Sequence, residues 1–150
     1  MAGVIRSYQP TDCDEVLRVW AHASAVAHPF LSEEFLELER HNIPHLYLPN
    51  ADTWVWVADG QVTGFISLLG NEVGAIFVEP ECHRSGIGQA LMAHARALRG
   101  VLEVEVFERN LQGRAFYAKL GFEFVHKKVH DQTGFDVIRL RLAPGTPMPR

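Results

Sequence analysis

The chain has little cysteine, no long apolar run and no excess of positive charge, and each absence excludes a class of protein. Its two cysteines, Cys13 and Cys82, lie far apart with no C-x-x-C spacing, so neither a disulfide framework nor a zinc site is indicated. The eight histidines are scattered without an H-E-x-x-H pair, and no metal is assigned. No apolar run reaches the roughly 18 residues of a membrane span. The opening M-A-G-V-I-R-S-Y lacks the apolar core of a signal peptide, so a soluble cytoplasmic chain without a membrane partner is expected. A net charge of −4 and a pI near 6.0 leave no basic face for nucleic acid. No repeat or linker interrupts the 150 residues, which predicts one domain over 1–143 with an ordinary 47% hydrophobic content. Residues 144–150 hold three prolines and read as a disordered tail.

What the chain does have is a strand, a glycine loop and a helix start in one run, 73–91. Residues 73–78 are apolar apart from Gly74 and rich in β-branched side chains, and Pro80 closes them. Ile87, Leu91, Ala95 and Leu98 recur at roughly every fourth position, as on one helix face. Between strand and helix lie His83, Arg84, Ser85, Gly86 and Gly88. Glycines at such a turn let the backbone approach a ligand closely, and the helix N-terminus adds partial positive charge. The product is a phosphate cradle. It is not a G-x-x-x-x-G-K-[ST] loop, because no Lys-Ser or Lys-Thr follows Gly88. A dinucleotide fingerprint needs a third glycine where Leu91 stands. Glu105 lies at the interval where such folds put a ribose-binding acid, but too little chain remains for a doubly wound sheet.

A third pattern matches better. His83-Arg84-Ser85-Gly86-Ile87-Gly88 resembles the pyrophosphate loop, [QR]-x-x-G-x-[GA], of the GNAT superfamily of N-acetyltransferases. Further on, Asn110-Leu111-Gln112-Gly113-Arg114-Ala115-Phe116-Tyr117-Ala118-Lys119-Leu120-Gly121-Phe122 resembles that family's coenzyme A segment, N-x-x-A-x-x-F-Y-x-x-x-G-F. Ala-His-Pro-Phe at 27–30 and Thr-Trp-Val-Trp at 53–56 are similar to the small stand-alone bacterial branch, which includes protein-lysine acetyltransferases. Two positions depart from the pattern. His83 stands for the usual Gln or Arg, and Gly113 for the usual Ala, at a cost to the helix of about 0.8–1.0 kcal/mol.

Periodicity and punctuation place the other elements. Residues 4–7 are short and β-like. Thr11-Asp12-Cys13-Asp14 reads as a capping box opening a helix with Val16, Val19, Trp20 and Ala23 on one stripe. Pro29 ends that helix, Ser32 caps a second, and Pro44 and Pro49 interrupt the segment before Asn50. Residues 53–58 and 61–69 form a hairpin about Asp59-Gly60. Residues 101–107 are a strand with Glu103 and Glu105 on one face, 110–120 a helix stopped at Gly121, and 122–130 and 135–142 a second hairpin. The order is similar to the GNAT fold. That implies an α/β domain whose mixed, mostly antiparallel central sheet has about seven strands flanked by about four helices.

The resemblance further implies acetyl-CoA as co-substrate and no metal. In the family, backbone groups of the strand matched by Ile76, Phe77 and Val78 pair with the pantetheine arm, and the N–H matched by Ile76 faces the thioester carbonyl. His83, Arg84, Ser85, Gly86, Ile87 and Gly88 would hold the pyrophosphate, and Asn110 would bond the pantetheine or cap its helix. Tyr117 is the favoured general acid, since a phenol near pKa 10 suits a departing thiolate; core packing is its competing role. Glu72 matches a catalytic glutamate of the histone-acetylating branch. It stands four residues before Ile76, about 13 Å along a strand, so either a water relay or a plain solvated carboxylate is implied. The acceptor wall is assigned by placement to the helix junction with His28 and Phe30, with Tyr47 and Trp54 nearby, against a capped helix start with Phe30 in the core. The expected function is acetyl transfer to a primary amine, of a protein lysine or a small molecule, by direct attack. The rival is a catalytically silent acyl-CoA-binding regulatory module.

Overall fold

The computed structural model describes residues 2–148. Its strands are β1 (Val4–Ser7), β2 (Asp52–Ala58), β3 (Gln61–Leu69), β4 (Glu72–Val78), β5 (Leu102–Phe107), β6 (Glu123–Val129) and β7 (Asp136–Leu142). They form one sheet in the order β1-β2-β3-β4-β5-β7-β6. Every neighbouring pair is antiparallel except β4 and β5. The helices are α1 (Cys13–Ala27), α2 (Glu33–Asn42), the single turn α3 (Leu48–Asn50), α4 (Ile87–Arg99) and α5 (Leu111–Leu120). This is the mixed, mostly antiparallel α/β architecture expected from the sequence.

Strand alternation builds a core on each face. On one, Leu102, Val104 and Val106 of β5 meet Leu91, Met92 and Ala95 of α4 and Tyr117 and Leu120 of α5. On the other, Val55 and Phe65 meet Val16, Val19 and Trp20 of α1, with Ile43 and Leu48 beside them. Glu103 and Glu105 therefore fall on the second face of β5, where no helix covers them fully.

The parallel pair sets up the site. β4 and β5 register only at Glu72–Glu103 and Val73–Val104. In the β3–β4 ladder, Val73 pairs with Leu68 and Ala75 with Ser67, leaving Gly74 as an extra residue. Such a bulge bends its strand, and here it coincides with the point where β4 leaves β5. From Gly74 to Val78 the edge of β4 toward β5 has no ladder partner, although β3 still pairs its other edge.

Local chemistry differs from the expected punctuation in two places. No Thr11–Asp14 box opens α1. Asp12 closes a preceding 3-10 turn (Pro10–Asp12) by accepting from the Gln9 N–H at 2.8 Å, and Arg6 grips the same carboxylate at 2.8 and 2.9 Å. That guanidinium, with the Gln9 bond, holds Asp12 below the usual carboxylate range despite its burial. Nor do Pro44 and Pro49 interrupt the chain. A π-helical turn (Ile43–Tyr47) carries α2 through to α3, with Leu48 N–H reaching back to Ile43 C=O. The wider turn accommodates the proline ring and its missing donor. Ser32 does cap α2, accepting from Phe35 N–H at 3.1 Å. Asp59 and Gly60 both have positive φ, 52° and 75°, as a type I′ hairpin requires. Of the proline-rich tail, Thr146 N–H reaches Ala143 C=O and Met148 lies against the core, while its positions 149–150 fall outside the described residues.

Candidate active site

Where β4 and β5 part, a cleft of about 390 Å³ runs from Asn110 and Tyr117, past His28, to Glu39 and Tyr47. The glycine loop lies off the end of β4. The first intrahelical bond of α4 runs from Ala90 N–H to Gly86 C=O, so the N–H groups at its start point out of the helix. Gly86 is left-handed at φ 88°, and a Cβ there would meet nothing within 4 Å. It borders open space of the kind a bound phosphate needs. Arg84 is also left-handed, at φ 67°, exposed, and without an ion pair among the described residues. Ser85 instead turns its hydroxyl to Cys82 C=O.

Other loop residues brace the cradle. His83 Nε2 donates to Val78 C=O at 3.0 Å, and its Nδ1 accepts from Gln112 of α5 at 3.0 Å. Both ring nitrogens are thus engaged by protein. Gly88 faces inward, where a Cβ would stand 3.2 Å from Phe116, so it permits the close packing of α4 on α5. Ile87 is core. Glu79, buried just before the loop, accepts from His22 of α1 at 2.9 and 3.1 Å with Arg18 at 3.6 Å. This clamp has no sequence signal, since its partners are far apart in the chain.

Ile76, Phe77 and Val106 line the cleft, and Tyr117 closes it. Tyr117 is wedged between Phe116 and Phe122, both with centroids 5.4 Å away, and its hydroxyl has no hydrogen-bond partner among the described residues. Burial alone raises its pKa, so the phenol keeps its proton and remains a donor. The side chain is thus packed among aromatic rings and still carries a proton it can donate.

Asn110 caps α5: its Oδ1 accepts from Gly113 N–H at 2.9 Å. Its Nδ2 donates to His28 Nε2 at 3.2 Å, which puts the imidazole proton on Nδ1, 3.2 Å from Ser24 Oγ. This explains the glycine at 113, where a Cβ would lie 2.5 Å from Asn110 Nδ2. His28 bridges the parting strands, edge-on to Phe77 at 6.3 Å and to Phe107 at 5.4 Å. Burial lowers its pKa from 6.5 to about 4, so it is a neutral acceptor at neutral pH. Phe30 is half-buried behind His28, against Phe107 and Phe135, and is not among the residues lining the cleft.

Glu72 lines the cleft but is tied to Arg139 at 3.1 Å, which also holds Glu103 at 2.8 Å. The far end of the cleft holds Glu39, Tyr47 and His130, none of which belongs to either sequence motif. Burial raises the pKa of Glu39, against an opposing hydrogen bond from Tyr47 and the charge of a protonated His130. Trp54, expected near the junction of His28 and Phe30, packs instead on His94 of α4 across the sheet, centroids 4.4 Å apart. Among the described residues no cluster could hold a metal ion and no helix is long and apolar enough to cross a membrane.

A bent parallel strand opened against its neighbour, with a glycine loop off its end and a tyrosine closing the gap, is a site of the GNAT class. Residues 49–124 match the acetyltransferase (GNAT) domain, and the chain belongs to that family. It is 33% identical to the peptidyl-lysine N-acetyltransferase YiaC of Escherichia coli over 87% of this chain and 90% of YiaC. It is 31% identical to the peptidyl-lysine N-acetyltransferase YjaB of Escherichia coli over 93% of this chain and 95% of YjaB. The solution structure of apo-form YjaB superposes with a TM-score of 0.85 at 29% identity, covering 94% of this chain and 97% of that one. The crystal structure of PaiA N-acetyltransferase from Thermoplasma acidophilum in complex with coenzyme A shares the fold. Its TM-score is 0.73 at 19% identity, covering 93% and 98% of the two chains.

Proposed function

We propose that this chain transfers the acetyl group of acetyl-CoA to the side-chain amine of a lysine in a protein. The observation that carries the reading is the unladdered edge of β4 from Gly74 to Val78, opening on a cleft that Tyr117 closes. An extended pantetheine arm would complete the missing ladder, in the manner of an added strand. The outward N–H groups of the α4 start and the free guanidinium of Arg84 suit its pyrophosphate. An N–H of this edge, assigned to Ile76, would face the carbonyl oxygen as negative charge grows there, a contact typically worth about 2.7–4 kcal/mol. The amine attacks the carbonyl carbon, the carbon–sulfur bond breaks, and the Tyr117 hydroxyl gives its proton to the departing sulfur. The lysine acceptor rests on the names of YiaC and YjaB. Two unpaired thiols, Cys13 and Cys82, suit a reducing compartment such as the cytoplasm.

The test is thiol release from acetyl-CoA with lysine-bearing peptides, their lysine-free counterparts and small primary amines. Release that requires the lysine supports the reading, and release with small amines alone would replace the acceptor. Acetyl-CoA binding without thiol release on any amine of the panel would leave acyl-CoA binding as the function.

A further inference from the structure

One imidazole in the cleft has no role in either motif. His130 follows β6 and lines both the main cleft and a second one of about 180 Å³, bounded also by Glu72, Glu105 and Phe107. It therefore stands where the two spaces meet. Its ring is held edge-on by Phe107 of β5 at 5.3 Å and by Phe35 of α2 at 5.9 Å. Its backbone is fixed as well, with N–H to Phe135 C=O and C=O to Gly134 N–H, both 2.8 Å. Nδ1 lies 2.9 Å from Thr133 Oγ1, whose oxygen also accepts from Phe135 N–H at 3.3 Å. A hydroxyl oxygen can accept twice, so in the Nδ1–H tautomer the ring donates to Thr133 and Nε2 keeps its lone pair for a proton. The Glu39 carboxylate, which receives the Tyr47 hydroxyl, lies within electrostatic reach of the ring. Glu72, the carboxylate that the sequence offers as a base, is already paired with Arg139.

We propose, on the reading that the chain is an acetyltransferase, that His130 is the general base that takes the proton from the acceptor ammonium. Nitrogen loses two protons on becoming an amide. One leaves through His130 Nε2 to solvent, and the other balances the proton that Tyr117 gives to sulfur. The nitrogen–carbon bond forms as the carbon–sulfur bond breaks, and no oxidant or metal is required. The charged groups about the ring are Glu39 of α2, Glu72 of β4, Glu105 of β5 and the neighbouring Asp131. Arg139 is paired to both Glu72 and Glu105, and Lys128 to Glu105.

The experiment compares the parent with His130→Gln, which keeps the size and a hydrogen bond to Thr133 but cannot take a proton. Turnover at neutral pH and saturating acetyl-CoA should fall about 10²–10⁴-fold, with acetyl-CoA affinity unchanged by calorimetry. The deficit should narrow as pH approaches the lysine amine's own pKa near 10.4, where free amine exists without help. Turnover within about threefold of the parent, or a deficit that ignores pH, overturns the role. Should His130→Gln melt below the assay temperature, Thr133→Val removes the partner of Nδ1 and leaves the ring. It should slow turnover about tenfold with the same narrowing at high pH, and parental behaviour overturns the proposal. A parent chain that binds acetyl-CoA yet releases no thiol with any amine overturns the acetyltransferase reading itself, and His130's role with it.

Discussion

At the glycine-loop end of the cleft the backbone is on display and the side chains brace it, whereas at the α2 end the side chains line the space and the backbone only carries them. His83 spends both ring nitrogens on Val78 and Gln112, Gly88 packs on Phe116, and Glu79 is clamped to α1. What remains outward is the Gly86 turn and the first N–H groups of α4. At the other end Glu39, Tyr47 and His130 arrive from a helix, a π turn and a hairpin. A backbone site needs contiguous residues with special dihedrals, so it leaves a motif. A side-chain site gathered from three elements leaves none. The two ends should accordingly fail differently when mutated.

The largest effect is expected where the ends meet. Tyr117→Phe deletes one hydroxyl, keeps the packing against Phe116 and Phe122, and should lower kcat by about 10²–10⁴-fold with acetyl-CoA affinity intact. Single-turnover kinetics at saturating substrate measure this. A variant as fast as the parent would reduce Tyr117 to a core residue.

Next in size is a strike at the backbone end alone. Gly86→Val puts a β-branched residue at φ 88° and fills the open space beside the loop. Acetyl-CoA binding should weaken at least about tenfold, or 1.4 kcal/mol, while the α2 end is untouched. Calorimetry on the folded variant decides it, and undiminished affinity would remove the loop from the site.

The same contrast explains what can be read in the sequence. The order of elements along the chain, the hairpin at Asp59-Gly60, the Ser32 cap and the glycine turn into α4 are all legible, because each rests on local spacing or on residues with forced dihedrals. The bulge at Gly74 is not, since an isolated glycine in an apolar strand does not announce which partner will skip it. The π turn reads as a break because Pro44 removes a donor, and nothing local says that a wider turn will absorb the loss. His28 lines the cleft, but its bond to Asn110 spans 82 residues and has no local signal. His130 and Glu39 carry no signal for the same reason.

A moderate effect is expected from the residue that joins the two ends. His28 has a folded pKa of about 4 against an ordinary 6.5. As pH falls the unfolded chain takes the proton first, so the contribution to stability is complete above about pH 6.5. It is lost progressively down to about pH 4, at no more than roughly 1.4 kcal/mol per pH unit. Urea denaturation of the parent and His28→Gln across that window should give a shallower slope for the variant. Parallel curves would mean that His28 titrates like an exposed imidazole and does not bridge the strands as a neutral acceptor.

The smallest change in stability, and the sharpest test of why this chain departs from its family's pattern, is Gly113→Ala. Helix propensity alone predicts a gain of about 0.8–1.0 kcal/mol. The new Cβ would sit 2.5 Å from Asn110 Nδ2 and 2.9 Å from its Cγ, so the amide has to swing away. That gives up the cap on Gly113 N–H, worth about 0.5–2 kcal/mol, and leaves His28 Nε2 without its donor. Gain and loss nearly cancel, and the net change in unfolding free energy should stay within about 1 kcal/mol. The cancellation can be exposed by a double-mutant cycle with Asn110→Ala, which removes cap and clash together. In that background Gly113→Ala should recover its full propensity gain, giving a coupling of about 0.5 kcal/mol or more. Strict additivity would show that the close approach is relieved without disturbing Asn110, and that glycine at 113 has no part in holding the two ends of the cleft together.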